Sequence, residues 1–114
     1  MPKAFGQSLR RLRHSKKMSQ RELAQRVGVD FSYISKVEND RLPPPAADTI
    51  VKICHVLDIS PVELLAATGK LPTKVKAMLG GSTAALHFVQ QAHAMSLTED
   101  EWEKLTKRLK RLRA

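Results

Sequence analysis

The sequence predicts an all-α protein, five short helices in one bundle followed by a helical extension. Three observations predict it. Apolar residues recur at three- and four-residue spacing. No run alternates apolar and polar residues as a half-buried strand would. Capping signals, glycines and prolines punctuate the chain at intervals too short for long helices.

Phe5, Leu9 and Leu12 stand at i, i+4 and i+7, one face of a first helix over about residues 3–15. Ser19-Gln-Arg-Glu22 reads as a capping box, the hydroxyl accepting from the amide three residues on and the Glu reaching back. A short second helix turns Leu23, Ala24 and Val27 inward, and Gly28 closes it where a positive φ is needed. Asp30 is placed to cap a third helix, about 31–39, with Ile34 and Val37 inward. Leu42-Pro-Pro-Pro45 must be extended, because proline lacks an N–H and clashes with a preceding helical turn. The fourth helix carries Ile50, Ile53, Cys54 and Leu57 on one stripe. Ser60-Pro-Val-Glu63 reads as a second capping box with Pro61 at the first helical position. The brief fifth helix turns Leu64 and Leu65 inward and ends at Gly69.

The pattern then changes, which divides the chain into a bundle, 1–69, and an extension, 70–114. Pro72 opens a turn or short helix with Val75, Met78 and Leu79 on one side, and Gly80-Gly81-Ser82 is a flexible break. Ala85, Phe88, Val89 and Ala92 mark the next helix. Thr98-Glu-Asp-Glu101 is a third capping box, its acids at the positive end of the helix dipole. The last helix spaces Trp102, Leu105, Leu109 and Leu112 like a heptad seam and ends in a basic run.

Charge narrows the function. Twenty Lys and Arg against eleven Asp and Glu leave +9 over 114 residues, with the excess in both halves. A small chain so basic suits a polyanion, nucleic acid first and an anionic membrane surface second. No apolar run is long enough to span a membrane, and the basic N-terminus lacks the apolar stretch of a secretion signal. One cysteine, Cys54, makes no internal disulfide and fits a reducing cytoplasm.

Two short helices joined by a tight glycine turn can hold the second proud of the surface, and a helix about 10–12 Å across fits a B-DNA major groove. The spacing from Gln20 through Leu23-Ala24, Gly28-Val29, Ile34-Ser35 and Glu38 suits that unit. Ala24 is small where the helices cross, and Val29 and Ile34 anchor the second helix. With FGQSLRRLR, SQRELAQRVGV, ISKVEN and TIVKICHVLDISPVELL, residues 5–65 resemble the Cro and CI repressor type of helix-turn-helix domain, the XRE family. The resemblance implies a lambda-repressor-like bundle of five helices and a homodimeric regulator of transcription in a bacterium or phage.

It also implies roles. Ser19–Arg26 becomes the positioning helix and Phe31–Asn39 the recognition helix. Phe31, Ser32 and Lys36 match base-reading positions, with Tyr33 and Ser35 close enough to help. The chemistry suits this: an ammonium donates to guanine O6 or N7, a hydroxyl pairs with several bases, and a phenyl ring lies against a thymine methyl. Gln20, with Ser19 at the helix N-terminus, matches a phosphate grip, and Asn39 and Arg41 fall beside the DNA backbone. Arg13 and Glu38 match a buried ion pair that orients the recognition helix. The chain departs from its relatives at Asp40, where they carry Gly, and in a proline loop about one residue longer; Asp tolerates the left-handed conformation at some cost.

The remaining signals read as structural. Arg10, Arg11, Arg13, Lys16 and Lys17 form a solvated basic face, some of them within reach of phosphates. Cys54, on an apolar stripe, reads as a buried thiol. His14, His55, His87 and His93 are scattered without further ligands, so no metal or other cofactor is expected. No nucleophile–base arrangement suggests an enzyme. The stripe Trp102, Leu105, Leu109 and Leu112 fits core closure, a dimer seam or a membrane surface, and its narrowness favours the first two. A dimer is the expectation, because one module reads too little DNA. Residues 70–114 would assemble the protein or receive another protein, as in an antitoxin. The competing class is a module of the same fold that binds protein rather than double-stranded DNA.

Overall fold

The computed structural model describes residues 4–114. The described residues form eight helices and no strand: α1 Ala4–Ser15, α2 Gln20–Val27, α3 Phe31–Glu38, α4 Ala47–Val56, α5 Val62–Thr68, α6 Thr73–Gly80, α7 Thr83–Met95 and α8 Glu99–Arg111. The first residue of the helix expected over 3–15 lies outside the described residues. The chain divides into two compact units, one up to Val75 and one from Lys76 on.

In the first unit α1 packs on α3 and α5, α2 on α3 and α4, and α4 on α5. The inward stripes meet in one core: Phe5 and Leu9, Leu23 and Val27, Ile34 and Val37, Ile50, Ile53 and Leu57, and Leu64. Each large aliphatic side chain withdrawn from water contributes about 1.5–3 kcal/mol. Met18, from the turn after α1, joins them. Cys54 is buried in the same core. Burial, helped by the charge of Glu63, pushes its thiol up to about 11, so it stays protonated and unreactive at neutral pH.

The helix ends follow the local signals with three corrections. Ser19 Oγ accepts from the Glu22 amide at 3.0 Å. The Glu22 carboxylate instead lies 3.7 Å from Arg26, one turn on, so only half of the expected capping box forms. Asp30 occupies the N-cap of α3 without a side-chain capping bond. The box expected at Ser60–Glu63 is replaced by a turn: Ser60 Oγ accepts from the Val62 amide at 3.3 Å, and Pro61 becomes the N-cap. Glu63 is drawn away because Arg11 of α1 takes its carboxylate, which ties α5 to α1. Thr98 and Glu101 form the full reciprocal box. Gly28 takes φ +90° and Asp40 φ +60°, the left-handed backbone expected of each.

One contact had no signal in the periodicity. Gly6 is buried where α1 crosses the end of α3, and a Cβ there would stand 2.7 Å from the Glu38 carbonyl oxygen and 2.9 Å from that of Val37. Backbone cannot retreat as a side chain can. Gly6→Ala is therefore expected to cost about 1–3 kcal/mol through overpacking. A urea midpoint equal to that of the parent chain would refute the tight crossing.

Residues after α5 are fastened to this unit. Lys70 Nζ donates to the carbonyls of Pro44 and Pro45 at 3.1 and 3.0 Å. Thr73 donates its amide and hydroxyl to Asp48 at 2.9 and 2.6 Å. The second unit is thinly packed: Phe88 and Val89 are exposed, and Ala92 is its buried apolar residue. No helix among the described residues is long and apolar enough to cross a membrane.

Candidate nucleic-acid interface

The helix-turn-helix is α2, the turn Gly28–Asp30, and α3. Gly28 closes α2 by donating to the Ala24 carbonyl at 2.8 Å, and Val29 donates to the same oxygen at 3.0 Å. Ala24 is buried at the crossing, as its size requires. From this turn α3 sets out with two unlike faces. Ile34, Val37 and Glu38 are buried, whereas Phe31, Ser32 and Lys36 are exposed and Tyr33 and Ser35 half-buried. Of the residues expected to read bases, Phe31, Ser32 and Lys36 thus face solvent, while Tyr33 packs in part against the core.

Phe31 is not bare. The Arg21 guanidinium of α2 lies over its ring, 4.4 Å from the centroid, and Phe31 as a whole is 39% exposed. A cation above an aromatic face is attracted by the ring quadrupole, so the pair links the first turns of both helices. Tyr33 lines a shallow recess with Val29, Asp30 and Thr49. Burial raises its hydroxyl above the ordinary tyrosine value.

Behind α3 lies a buried ionic cluster. Arg13 and Glu38, 6% and 2% exposed, meet through two parallel bonds, Nε to Oε2 at 2.6 Å and Nη2 to Oε1 at 2.8 Å. Arg13 Nη1 also donates to the Met18 carbonyl at 2.8 Å. Gln20 Nε2 donates to Glu38 Oε1 at 2.8 Å. Burial alone would raise the Glu38 carboxyl. Hydrogen bonds from Arg13 and Gln20, the Arg13 charge and the bond from Arg10 outweigh it and hold the group below the ordinary value. The ion pair implied by the resemblance is present and joins α1 to α3, and the Gln20 bond adds α2 to the cluster.

Of the residues assigned to phosphates, Ser19 and Gln20 stand at the start of α2, and Asn39 and Arg41 follow α3. Ser19 caps α2, and Gln20 is half-buried with its amide nitrogen on Glu38, which leaves less of it for DNA than its assigned role suggests. Exposed Asn39 accepts from Arg10 Nη2 at 2.5 Å and donates to Ser35 Oγ at 3.5 Å. Arg41 is exposed beyond the left-handed turn at Asp40. Arg10 and Arg21 are what a reading by motif misses. Arg10 shares an α1 face with Arg13, three residues on, and that spacing was its available signal. The pairing of Arg21 with Phe31 had none, because the two meet only once the helices cross. Of the basic run, Arg10, Arg11 and Arg13 are engaged by carboxylates, while Lys16 and Lys17 are exposed. Among the described residues no three His, Cys, Asp or Glu side chains are grouped to hold a metal ion.

Comparison with known proteins agrees with this geometry. A family model described as Helix-turn-helix matches residues 9–64. The chain is 31% identical over 112 residues to RghRB, an uncharacterized HTH-type transcriptional regulator of Bacillus subtilis (strain 168), covering 90% of this chain and 81% of that protein. It is 34% identical over 79 residues to y4dL, an uncharacterized HTH-type transcriptional regulator of Sinorhizobium fredii, covering 69% of this chain and 38% of the longer relative. Among solved structures it resembles SinR, a master regulator for biofilm formation, in complex with DNA. The identity there is 36% and the TM-score 0.51, covering 54% of this chain and 97% of that one. A complex of SinR and SinI gives 24% identity and a TM-score of 0.51 over 93% of this chain and 94% of that chain, a likeness of fold alone. A helix-turn-helix whose second helix turns Ser32 and Lys36 to solvent, inside the matched segment, thus has one reading: the chain belongs to the XRE family of helix-turn-helix transcriptional regulators.

Proposed function

We propose that this regulator is a cytoplasmic repressor that binds a palindromic operator as a homodimer and occludes the polymerase. The single observation that carries the reading is α3: Ile34, Val37 and Glu38 hold it from behind while Phe31, Ser32 and Lys36 face outward. The likeness of about half of this chain to SinR solved on DNA supports it. In this reading residues 1–69 hold the DNA and residues 70–114 assemble the subunits.

Lys36 donates to a guanine edge, Ser32 pairs beside it, and Phe31 meets a thymine methyl, with Tyr33 and Ser35 at the margins. Ser19, Gln20, Asn39 and Arg41 position the helix on the DNA backbone. Arg13 and Glu38 set its angle. Two such helices, related by a twofold axis, enter major grooves one helical turn apart, about 10 bp.

Selection of binding sites from random duplexes tests this directly. The expected result is an inverted repeat with that half-site spacing. Recovery of no preferred sequence would overturn the operator reading and leave the protein-binding module standing. Lys36→Ala is expected to cost about 1–3 kcal/mol and to relax one base position. A uniform loss on all sequences would reassign Lys36 to a phosphate.

A further inference from the structure

The second unit leaves open an apolar face that its own residues do not cover. Trp102, Leu109 and Leu112 are 42%, 67% and 75% exposed. With Leu79, Phe88 and Leu105 they line a groove of about 690 Å³ along α7 and α8. Two properties of α8 identify what fills it.

The first is charge polarity. Glu99, Asp100 and Glu101 occupy its first turn and Glu103 follows, whereas Arg108, Lys110 and Arg111 occupy its last turn. Two copies laid parallel would set acid on acid and base on base. Laid antiparallel, each end meets its opposite.

The second is the spacing of the stripe. Trp102, Leu105, Leu109 and Leu112 are separated by intervals that read the same in both directions. An antiparallel copy therefore sets Trp102 against the partner's Leu112 and Leu105 against the partner's Leu109. Glu99 and Thr106 on one flank of α8, and Arg113 in the turn just past its Leu112 cap, recur every seven residues. In this register Glu99 meets the partner's Arg113, and Thr106 stands beside the partner's Thr106 near the twofold axis.

We propose that two copies of this chain associate by packing α8 antiparallel on α8, with Phe88 of each α7 closing a four-helix seam. The proposal rests on the homodimer reading above and adds the helix, its direction and its register. An unlike partner has no need of a reversible stripe. An anionic membrane would be repelled by the acidic first turn.

The test is disulfide mapping of the full chain, in which Cys54 is buried and the introduced thiol is the accessible one. Thr106→Cys is expected to link to itself under mild oxidation. Glu99→Cys and Arg113→Cys each fail to self-link, being about 20 Å from their own counterparts, but link to each other when mixed. Charge reversal gives a second readout. Glu99→Arg and Arg113→Glu each weaken the dimer about threefold or more, and combining them restores it. Sedimentation equilibrium separates the two readings. A chain monomeric at micromolar concentration would refute the homodimer itself. A dimer in which all three cysteines self-link, or none links, would refute only the antiparallel α8 seam.

Discussion

Replacing Glu38 by Ala is expected to destabilise the protein by about 3–5 kcal/mol, the largest effect of any single substitution considered. Glu38 is 2% exposed and accepts from Arg13, Gln20 and Arg10. Its removal strands the Arg13 guanidinium, 6% exposed, without an anion. Reorganisation offers little relief, because Arg13 is also held by the Met18 carbonyl. Small domains have about 5–15 kcal/mol in total, so the melting temperature is expected to drop by more than about 10 °C. Arg11→Ala is the control. Its pair with Glu63 is more than half exposed on both sides, and solvent screening reduces it to a small fraction of the buried pair. Equal losses in the two variants would refute the distinction between buried and exposed pairs.

The same group carries a pH dependence whose sign follows from its environment. Its carboxyl is held below the ordinary value in the folded chain. The stability it contributes is therefore present above the unfolded carboxyl pKa and is lost as pH falls through the folded one. Glu38→Gln, which keeps the shape and removes the charge, is expected to differ most from the parent at pH 7 and to converge with it in acid. A gap in urea midpoint that stays constant from pH 7 to pH 3 would show that folding does not lower the Glu38 carboxyl pKa.

Operator affinity is expected to fall by about three decades between 50 and 200 mM salt, for a dimer that neutralises roughly six phosphates. Each neutralised phosphate releases condensed counterions, with a slope of about −0.9 per contact. The net charge of +9 makes such contacts available. The ion pairs restrict which bases supply them. Arg10, Arg11 and Arg13 face carboxylates, so besides Arg21, Arg26 and Lys36 within the motif, the exposed cations nearest it in sequence are Lys16, Lys17 and Arg41. Anisotropy titrations across that salt range check this. A change below about tenfold would point to a module whose partner is not DNA. Lys16→Ala with Lys17→Ala should flatten the slope without changing the preferred sequence.

Much of this protein is written locally. Stripes such as Ile50, Ile53, Cys54 and Leu57, the glycine after α2 and the Thr98–Glu101 box each act within a few residues, so the chain alone determined them. The family pattern likewise locates α2 and α3 without any tertiary contact. What only the tertiary structure decided are pairings between residues distant in sequence. Glu63 leaves its helix end for Arg11, Gln20 turns to Glu38, Arg21 covers Phe31, and Gly6 admits the end of α3. The physical reason is competition. A carboxylate or amide has several partners of similar strength within its own turn, and the core packing of α1, α3 and α5 brings a better placed one within reach.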